Sequence, residues 1–185
     1  VEVALEHLGK TRPPARVLDL CTGSGCVAIS IARNAAHALV TASDVNPEAA
    51  ALALENAGRL GAELRVLTGD MFEPLPRNEK PFDVITANPP YVEQGAWRAL
   101  SPVIRLYEDR RALLAGEDGL DIVRRIVDHA PGHLRPGGLL AMEVGETQSP
   151  AVGAMLEEKR FKRVNTVRDL AGIERIVHGV LGLNR

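Results

Sequence analysis

The sequence has few cysteines, few aromatic residues and almost no net charge, and each shortage argues against a class of function. The two cysteines, Cys21 and Cys26, share one short segment with no His or further Cys at ligand spacing, so no zinc or other metal site is predicted. The formal net charge is -2 and aromatics make up 3%. A protein that grips many phosphates usually presents a basic face, so direct nucleic-acid binding is not expected. No apolar run reaches the ~18 residues of a membrane-spanning helix.

What remains is the composition of an ordinary globular domain. The chain has 185 residues, of which 45% are hydrophobic and 25% are charged. That length fits one domain with a sizeable core. Two unpaired thiols are typical of a reducing compartment.

Strand-like and helix-like segments alternate along the chain, which predicts a mostly parallel sheet with helices on both faces. The strongest helix start is Asn46-Pro47-Glu48, and Gly61 is expected to end that helix. Pro136-Gly137-Gly138 is expected to end a later helix, and Ser149-Pro150 to cap another. The predicted strands are Arg16–Leu20, Leu39–Asp44, Leu64–Thr68, Phe82–Ala87 and Leu139–Val144, followed by the β-rich segments Arg163–Arg168 and Arg175–Val180. The predicted helices are Val3–Gly9, Gly25–Asn34, Asn46–Leu60, Asp121–Leu134 and Ser149–Lys159.

A glycine-rich loop follows the first predicted strand and reads Asp19-Leu20-Cys21-Thr22-Gly23-Ser24-Gly25. Glycines let the backbone turn sharply and approach a ligand closely. The loop also fits the looser dinucleotide pattern, but the Asp19 carboxylate would repel a pyrophosphate and suits an ammonium group. S-adenosylmethionine carries an amino group and a sulfonium without phosphate. We therefore interpret the loop as a site for that cofactor, with the candidate contacts Asp19, Thr22, Gly23, Ser24 and Gly25.

Two further acidic strand ends follow. Asp44 lies about 20 residues after the loop, a spacing at which an acid can accept hydrogen bonds from both ribose hydroxyls, and Val45 adjoins it. Asp70 can accept from an adenine amino group while Met71 or Phe72 covers the ring. The alternatives are a helix-capping Asp44 and a turn Asp70 beside two core residues. Ligands of parallel sheets bind beyond the carboxyl ends of the strands, where all these residues fall.

The segment Asn88-Pro89-Pro90-Tyr91 directly follows the fourth predicted strand. Two prolines remove two backbone donors and stiffen the chain. What remains is rich in acceptors, namely the side-chain oxygen of Asn88 and the carbonyl of Pro89, with the aromatic face of Tyr91 beside them. Two fixed acceptors can take both N–H bonds of an amide-type nitrogen and aim its lone pair at a methyl donor. Asn88, Pro89 and Tyr91 are thus the candidate catalytic residues, and all four residues are candidates for substrate binding. Asn88 is also a candidate cofactor contact.

Taken together, these motifs resemble those of class I methyltransferases that act on exocyclic or amide nitrogen. Later segments are similar to the HemK (PrmC) family of peptide chain release factor glutamine methyltransferases. The matching segments are Tyr107-Glu108, Ala112-Leu113, Gly116–Asp121, Glu143-Val144-Gly145 with Gln148, and Asp169–Arg175.

The resemblance implies a Rossmann-like seven-stranded sheet with an antiparallel last strand. It implies S-adenosylmethionine as cofactor, S-adenosylhomocysteine as product and a bacterial-type release factor as protein partner. The methylated atom would be N5 of the glutamine in a Gly-Gly-Gln loop. It also implies a cytoplasmic location, in keeping with the free thiols. Glu143 and Arg175 are interpreted as a structural pair.

Three features depart from the family pattern. Cys21 stands where the family usually has glycine, which is tolerable if the backbone there is not at positive φ. Asp109 replaces a usual proline. The family's helical N-terminal domain, which helps recognise the release factor, is absent, so residues 1–185 are expected to form the catalytic domain alone.

Three alternatives remain open at this point. A sister family methylates a ribosomal-protein glutamine, although the Asp169–Arg175 segment argues against it. DNA adenine methyltransferases use the same tetrapeptide on a flipped base, but they need a basic cleft, stacking aromatics and a target-recognition region. A protein that binds the cofactor without catalysis is the third alternative.

Overall fold

The structure is a computed structural model that describes residues 1–99, 101 and 112–183. The similarity noted at Tyr107-Glu108 and the departure at Asp109 lie outside the described residues. Within them, seven strands alternate with helices. The strands are β1 (Ala15–Leu20), β2 (Ala38–Asp44), β3 (Leu64–Thr68), β4 (Phe82–Ala87), β5 (Leu134–Glu143), β6 (Phe161–Arg168) and β7 (Glu174–Leu181). The α-helices are α1 (Glu2–Leu8), α2 (Cys26–Asn34), α3 (Pro47–Leu60), α4 (Asp121–His133) and α5 (Ser149–Glu158), and a 3-10 helix spans Gln94–Ala99.

All seven strands form one mixed sheet in the order β3-β2-β1-β4-β5-β7-β6. The pairs from β3 to β5 are parallel, whereas β7 runs antiparallel to both β5 and β6. The predicted α/β fold, with its antiparallel last strand, is confirmed. Since β1, β2, β3 and β4 are mutually parallel, their carboxyl ends share one edge of the sheet.

Alternating side chains of the buried strands pack into two hydrophobic cores, one on each face of the sheet. Val17, Val84 and Leu139 pack with α1 and α2. Leu18 and Ile85 face the other way and pack with α4 and α5. All six residues of β4 are buried, as expected of a central strand covered on both faces. Helix α3 lies beside α2 over β2 and β3.

The boundaries of α3 are those predicted from local chemistry. The Asn46 side chain accepts a hydrogen bond from the backbone N–H of Glu48 at 3.0 Å, and Pro47 is the first helical residue. Gly61 ends the helix at φ +62°, a conformation that glycine adopts without a side-chain penalty.

The predicted start of β5 at Leu139 and the predicted capping of α5 by Ser149 are wrong. Helix α4 ends at His133, and Pro136-Gly137-Gly138 lies inside β5 instead of ending the helix. The register between β4 and β5 shifts at this segment, since Phe82 pairs with Leu134 and Val84, two residues later, pairs with Leu139. A proline without an N–H and Gly137 at φ +82° form an irregularity that the strand accommodates. Ser149 does not cap α5, since Gln148 occupies the cap position and the Ser149 hydroxyl donates to Glu174 at 2.5 Å. Among the described helices, none is long and apolar enough to cross a bilayer.

Candidate functional site

A cavity of about 370 Å³ opens at the edge of the sheet where β1, β2 and β4 end. That volume lies in the range of small-molecule sites. Ten of the residues selected from the sequence line the cavity, namely Asp19, Thr22, Gly23, Ser24, Asp44, Val45, Asp70, Met71, Asn88 and Pro90. Pro89 and Tyr91 line a smaller cavity of about 140 Å³ that shares Asn88 and Pro90 with the first. The structure therefore brings together residues that are up to 72 positions apart in the sequence.

Asp19 is the most buried charged group of the cavity, with 2% of the residue exposed. One carboxylate oxygen accepts a hydrogen bond from the Thr22 hydroxyl and the other from the Thr86 hydroxyl, both at 2.6 Å. Burial raises the pKa of Asp19 from an ordinary 3.8 to about 6, and the two hydroxyl hydrogen bonds oppose that shift. A buried acid with a strongly shifted pKa in a cleft is typical of a functional site.

Asp44 ties the glycine loop to the end of β2. Its Oδ2 accepts from the backbone N–H of Gly23 at 2.8 Å and its Oδ1 accepts from Asn46 at 2.9 Å. Each oxygen keeps a further lone pair for a ligand. Gly23 is left-handed at φ +56°, and a β-carbon there would meet nothing within 4 Å, so a ligand can reach this backbone.

Gly25 does not line the cavity. It caps the N-terminus of α2 at φ +84°, and a β-carbon there would lie 3.1 Å from the side chains of Ala53 and Ile29. The glycine at this position therefore permits close packing of α2 on α3.

The segment after β3 splits into residues that face the cavity and one that does not. Asp70 and Met71 line the cavity, and Arg125 of α4 donates to the Asp70 carboxylate at 2.7 Å. Phe72 points away, because its ring stacks on His133 with centroids 4.4 Å apart. Met71 adopts φ +47°, and directly after this left-handed residue the ring of Phe72 contacts α4 through His133.

Asn88 stands where the cavities meet. It is exposed and lines both cavities described above, as well as a third of about 280 Å³ beside α1 and β7. In the part of the chain that the structure describes, no hydrogen bond occupies its side-chain amide. Pro89 behind it is buried. Asn88 and Pro90 therefore form the boundary that the two strand-end cavities share.

The chain after Tyr91 is held by backbone hydrogen bonds to a distant loop. The N–H of Val92 donates to the carbonyl of Leu113 at 2.8 Å, and the carbonyl of Val92 accepts from Ala115 at 3.0 Å. Val92 also bridges to Leu114. These contacts anchor the chain directly after the Asn-Pro-Pro-Tyr segment.

Sequence reasoning missed several lining residues, which are Cys21, Cys26, Val27, Asn46, Ala49, Ala112 and Ile122. Cys26, Val27 and Ala49 lie in the first turns of α2 and α3, so their approach to the strand ends follows from the alternation of strands and helices. Ile122 comes from α4, and no local pattern indicates its place. Within residues 1–99, 101 and 112–183, no group of three or more His, Cys, Asp or Glu side chains is arranged to hold a metal ion.

The backbone of Cys21 is at positive φ, so cysteine is strained at this position, where the family usually has glycine. Its φ is +54°, in the left-handed region that costs a side-chain-bearing residue on the order of 1 kcal/mol or more. The half-buried side chain packs against the core under α4. Burial, followed by the carboxylates of Asp44, Asp19 and Asp70, raises the pKa of the Cys21 thiol to about 12.

Arg175 pairs with a different acid from the one expected. Its Nε lies 3.4 Å from the Asp169 carboxylate, and among the described residues it forms no ion pair with Glu143. Asp169 also accepts from the backbone N–H groups of Ala171 and Ile173. The similarity in Asp169–Arg175 therefore corresponds to a hydrogen-bonded turn between β6 and β7.

Comparisons with known proteins place the chain among methyltransferases by sequence. The sequence profile of the family described as "Methyltransferase small domain" matches residues 2–117. A relative named "Release factor glutamine methyltransferase" from Geobacter sulfurreducens is 42% identical over 98% of this chain and 63% of its own length. A relative of the same name from Gloeobacter violaceus is 46% identical over 96% of this chain and 62% of its own length. The chain thus spans less than two thirds of the length of these relatives.

Similarity of fold extends to solved structures. A crystal structure described as a methyltransferase from Pyrococcus furiosus superposes with a TM-score of 0.70 at 19% identity, covering 96% of this chain and 81% of that one. At that identity the likeness concerns the fold alone. The site must therefore be argued from its own residues.

Proposed function

The chain belongs to the methyltransferase small domain family, and from that premise we propose that it transfers a methyl group from S-adenosylmethionine to the side-chain amide nitrogen of a glutamine in a peptide chain release factor. The names of the relatives that match nearly the whole chain support this substrate. The observation on which the proposal depends is the position of Asn88. Its side chain, which makes no hydrogen bond with the described residues, lies where a cavity of cofactor size meets the smaller cavity behind the tetrapeptide.

The larger cavity suits S-adenosylmethionine by charge as well as by volume. The buried carboxylate of Asp19 would hold the amino group, and the two oxygens of Asp44 would accept from the ribose hydroxyls. Asp70 would accept from the adenine amino group, with Met71 on the ring. The three carboxylates around the cavity, even with that of Asp70 paired to Arg125, favour a ligand that carries positive charge and N–H or O–H donors over a phosphate.

The tetrapeptide supplies acceptors for a primary amide. The side-chain oxygen of Asn88 and the carbonyl of Pro89 would each accept one N–H bond of the substrate amide, with Tyr91 lining the pocket. An amide nitrogen is a weak nucleophile because its lone pair is delocalised. Fixed acceptors orient it and stabilise the positive charge that develops on nitrogen.

Bound S-adenosylmethionine would supply an electrophilic methyl group and leave as S-adenosylhomocysteine. The N–H that the substrate loses becomes far more acidic once the N–C bond has formed, so the proton can pass to water afterwards and the reaction needs no base ahead of bond formation. The residues around Asn88 therefore act by position and by hydrogen bonding.

The partner, the location and the domain assignment follow from the same proposal. A reaction on release factors would take place in the cytoplasm. The relatives are longer than this chain, so residues 1–185 are proposed to form a catalytic domain. If further segments help to recognise the release factor, they belong to a longer chain.

The decisive experiment presents a release factor and its Gln→Ala version, altered in the Gly-Gly-Gln loop, with methyl-labelled cofactor. Label on the unaltered factor alone, mapped by mass spectrometry to the glutamine side chain, would support the proposal. Absence of label on both, with the cofactor bound in calorimetry, would refute methyl transfer by this chain. Label on both would refute the glutamine as target. Asn88→Ala serves as the matched enzyme control, since it should bind cofactor but transfer the methyl about a hundredfold more slowly.

A further inference from the structure

Gln148 carries a buried polar side chain next to the site, and the proposed function assigns no role to it. Only 7% of the residue is exposed. It occupies the N-cap position of α5, yet its side chain forms no capping hydrogen bond. Its amide is directed instead toward the end of the Asn-Pro-Pro-Tyr segment.

Every polar group of this amide is paired. Nε2 donates to the backbone carbonyl of Tyr91 at 3.1 Å and to that of Asp118 at 3.2 Å. Oε1 accepts from the backbone N–H of Gly145 at 2.8 Å. A primary amide has two N–H donors, so each carbonyl receives one. One side chain therefore joins three loops, those following β4, preceding α4 and following β5.

Two glycines make room for the amide. A β-carbon on Gly145 would lie 2.9 Å from Oε1 of Gln148. A β-carbon on Gly119, which adopts φ +71°, would lie 2.7 Å from Nε2 and would overlap the carbonyl of Tyr91. The backbone on both sides of the amide thus comes closer than a side chain would allow.

The tetrapeptide has little else to hold it from within. Pro89 and Pro90 have no N–H, so this part of the chain cannot donate to a neighbouring strand. The same prolines make the segment stiff, and a displacement of the Tyr91 carbonyl is transmitted toward Asn88. At the Tyr91 end, the segment is held by the amide of Gln148 together with the backbone hydrogen bonds of Val92 to Leu113 and Ala115, while β4 holds the other end.

We propose that Gln148 is a positioning residue that fixes the Tyr91 carbonyl, so that the Asn88 oxygen and the Pro89 carbonyl are held at the spacing that the substrate amide requires. Gln148 acts through the tetrapeptide and does not line the cofactor cavity. The inference depends on the proposed function for its effect on turnover, but the hydrogen bonds themselves can be tested without substrate.

The first test uses the unaltered chain with ¹⁵N-labelled glutamine side chains. The sequence contains two glutamines, Gln94 and Gln148. Gln94 is exposed in the 3-10 helix, so its NH2 protons should exchange with water at the rate of a free amide. The NH2 protons of Gln148 should exchange at least about tenfold more slowly. Equal, fast exchange for both side chains would overturn the proposal.

The second test measures turnover and cofactor affinity separately. Gln148→Glu keeps the shape but turns an oxygen toward two carbonyls, and Gln148→Met removes all three hydrogen bonds. Both should lower kcat by about 10- to 100-fold and leave the Kd for S-adenosylmethionine within about twofold. Gln94→Glu makes the same chemical change on an exposed side chain and should retain the wild-type kcat.

The pH profile distinguishes positioning from general damage to the fold. The kcat of Gln148→Glu relative to the unaltered chain should rise as pH falls from 8 to 6, because a protonated carboxyl regains one donor. The ratio for Gln148→Met should stay constant. A wild-type kcat in Gln148→Met, or a loss of kcat matched by an equal loss of cofactor affinity, would overturn the proposal.

Failure of the proposed function has a different signature. If the unaltered chain methylates no release factor while Gln148 is protected from exchange, the substrate assignment fails and the hydrogen bonds of Gln148 stand. If both Gln148 variants fail to fold, the exchange measurement on the unaltered chain decides.

Discussion

Replacing Asp19 by asparagine should make the chain more stable without cofactor and a poorer binder of the cofactor. The carboxylate is 2% exposed, and burial raises its pKa to about 6. In the unfolded chain the same group titrates near 3.8. At a pH between these two values, Asp19 is therefore protonated in the folded chain and ionised in the unfolded chain. A neutral asparagine side chain at this position avoids burying that charge.

The sign and size of the effect follow from the two pKa values. Between about pH 4 and 6 the unfolded chain is ionised at this position while the folded chain keeps its proton, so the stabilising contribution is fully present below pH 4 and is lost as pH rises through 6. A pKa difference of roughly two corresponds to about 3 kcal/mol. At pH 8, the free energy of unfolding of Asp19→Asn should therefore be about 3 kcal/mol higher than that of the unaltered chain. Below pH 4 the two free energies should be equal.

Urea denaturation from pH 4 to pH 8, with and without S-adenosylmethionine, measures both effects. If Asp19 binds the amino group of the cofactor, the Kd should be about tenfold weaker at pH 5 than at pH 8, because about a tenth of the carboxyls are ionised at pH 5. Asp19→Asn should lack this pH dependence and bind weakly throughout. Saturating cofactor should then reverse the order of stability of the two proteins.

Asp128→Asn is the matched control. Asp128 is exposed, and its hydrogen bond to Lys159 lowers its pKa, so its contribution to stability is present at high pH and lost on acidification, opposite to that of Asp19. Two results would refute the reasoning for Asp19. One is a less stable Asp19→Asn at pH 8 in the absence of cofactor, and the other is an unchanged Kd.

Three further changes test the assignments of the site. Asn88→Ala should lower turnover on a release factor by about a hundredfold with little change in cofactor affinity, and wild-type turnover would remove Asn88 from the mechanism. Asp44→Ala should weaken cofactor binding by about 1–3 kcal/mol, since it removes hydrogen bonds to a charged acceptor; an unchanged Kd in calorimetry would contradict the ribose assignment. Iodoacetamide should alkylate exposed Cys26, and cofactor should slow that reaction because Cys26 lines the cavity. The thiol of Cys21 has its pKa raised to about 12, so Cys21 should stay unmodified until the chain unfolds. Mass spectrometry of the two peptides checks this, and the absence of protection at Cys26 would place the cofactor elsewhere.

The fold was largely predictable because its signals are local. Asn46, Pro47 and Gly61 mark the ends of α3 through capping chemistry that operates within a few residues. The start of β5 was missed for the opposite reason. Pro136-Gly137-Gly138 has the composition of a loop, and only the pairing of β5 with β4 keeps the irregular segment in the sheet.

The candidate site was predictable where topology alone brings residues together. Parallel strands end at one edge, so Asp19, Asp44 and Asn88 had to be neighbours. The direction of Phe72 was not predictable, because it depends on the left-handed backbone of Met71. The role of Gln148 was also out of reach, since its contacts reach loops 30 and 57 positions away.

The left-handed backbone at Cys21 restricts which mutations the glycine loop can accept. Glycine would relieve the strain but would remove a side chain that packs on the core. A β-branched residue such as valine would aggravate the strain, because its substituents crowd the backbone in this region. We expect libraries randomised at this codon to yield functional chains with few amino-acid types, and most of those should carry small, unbranched side chains.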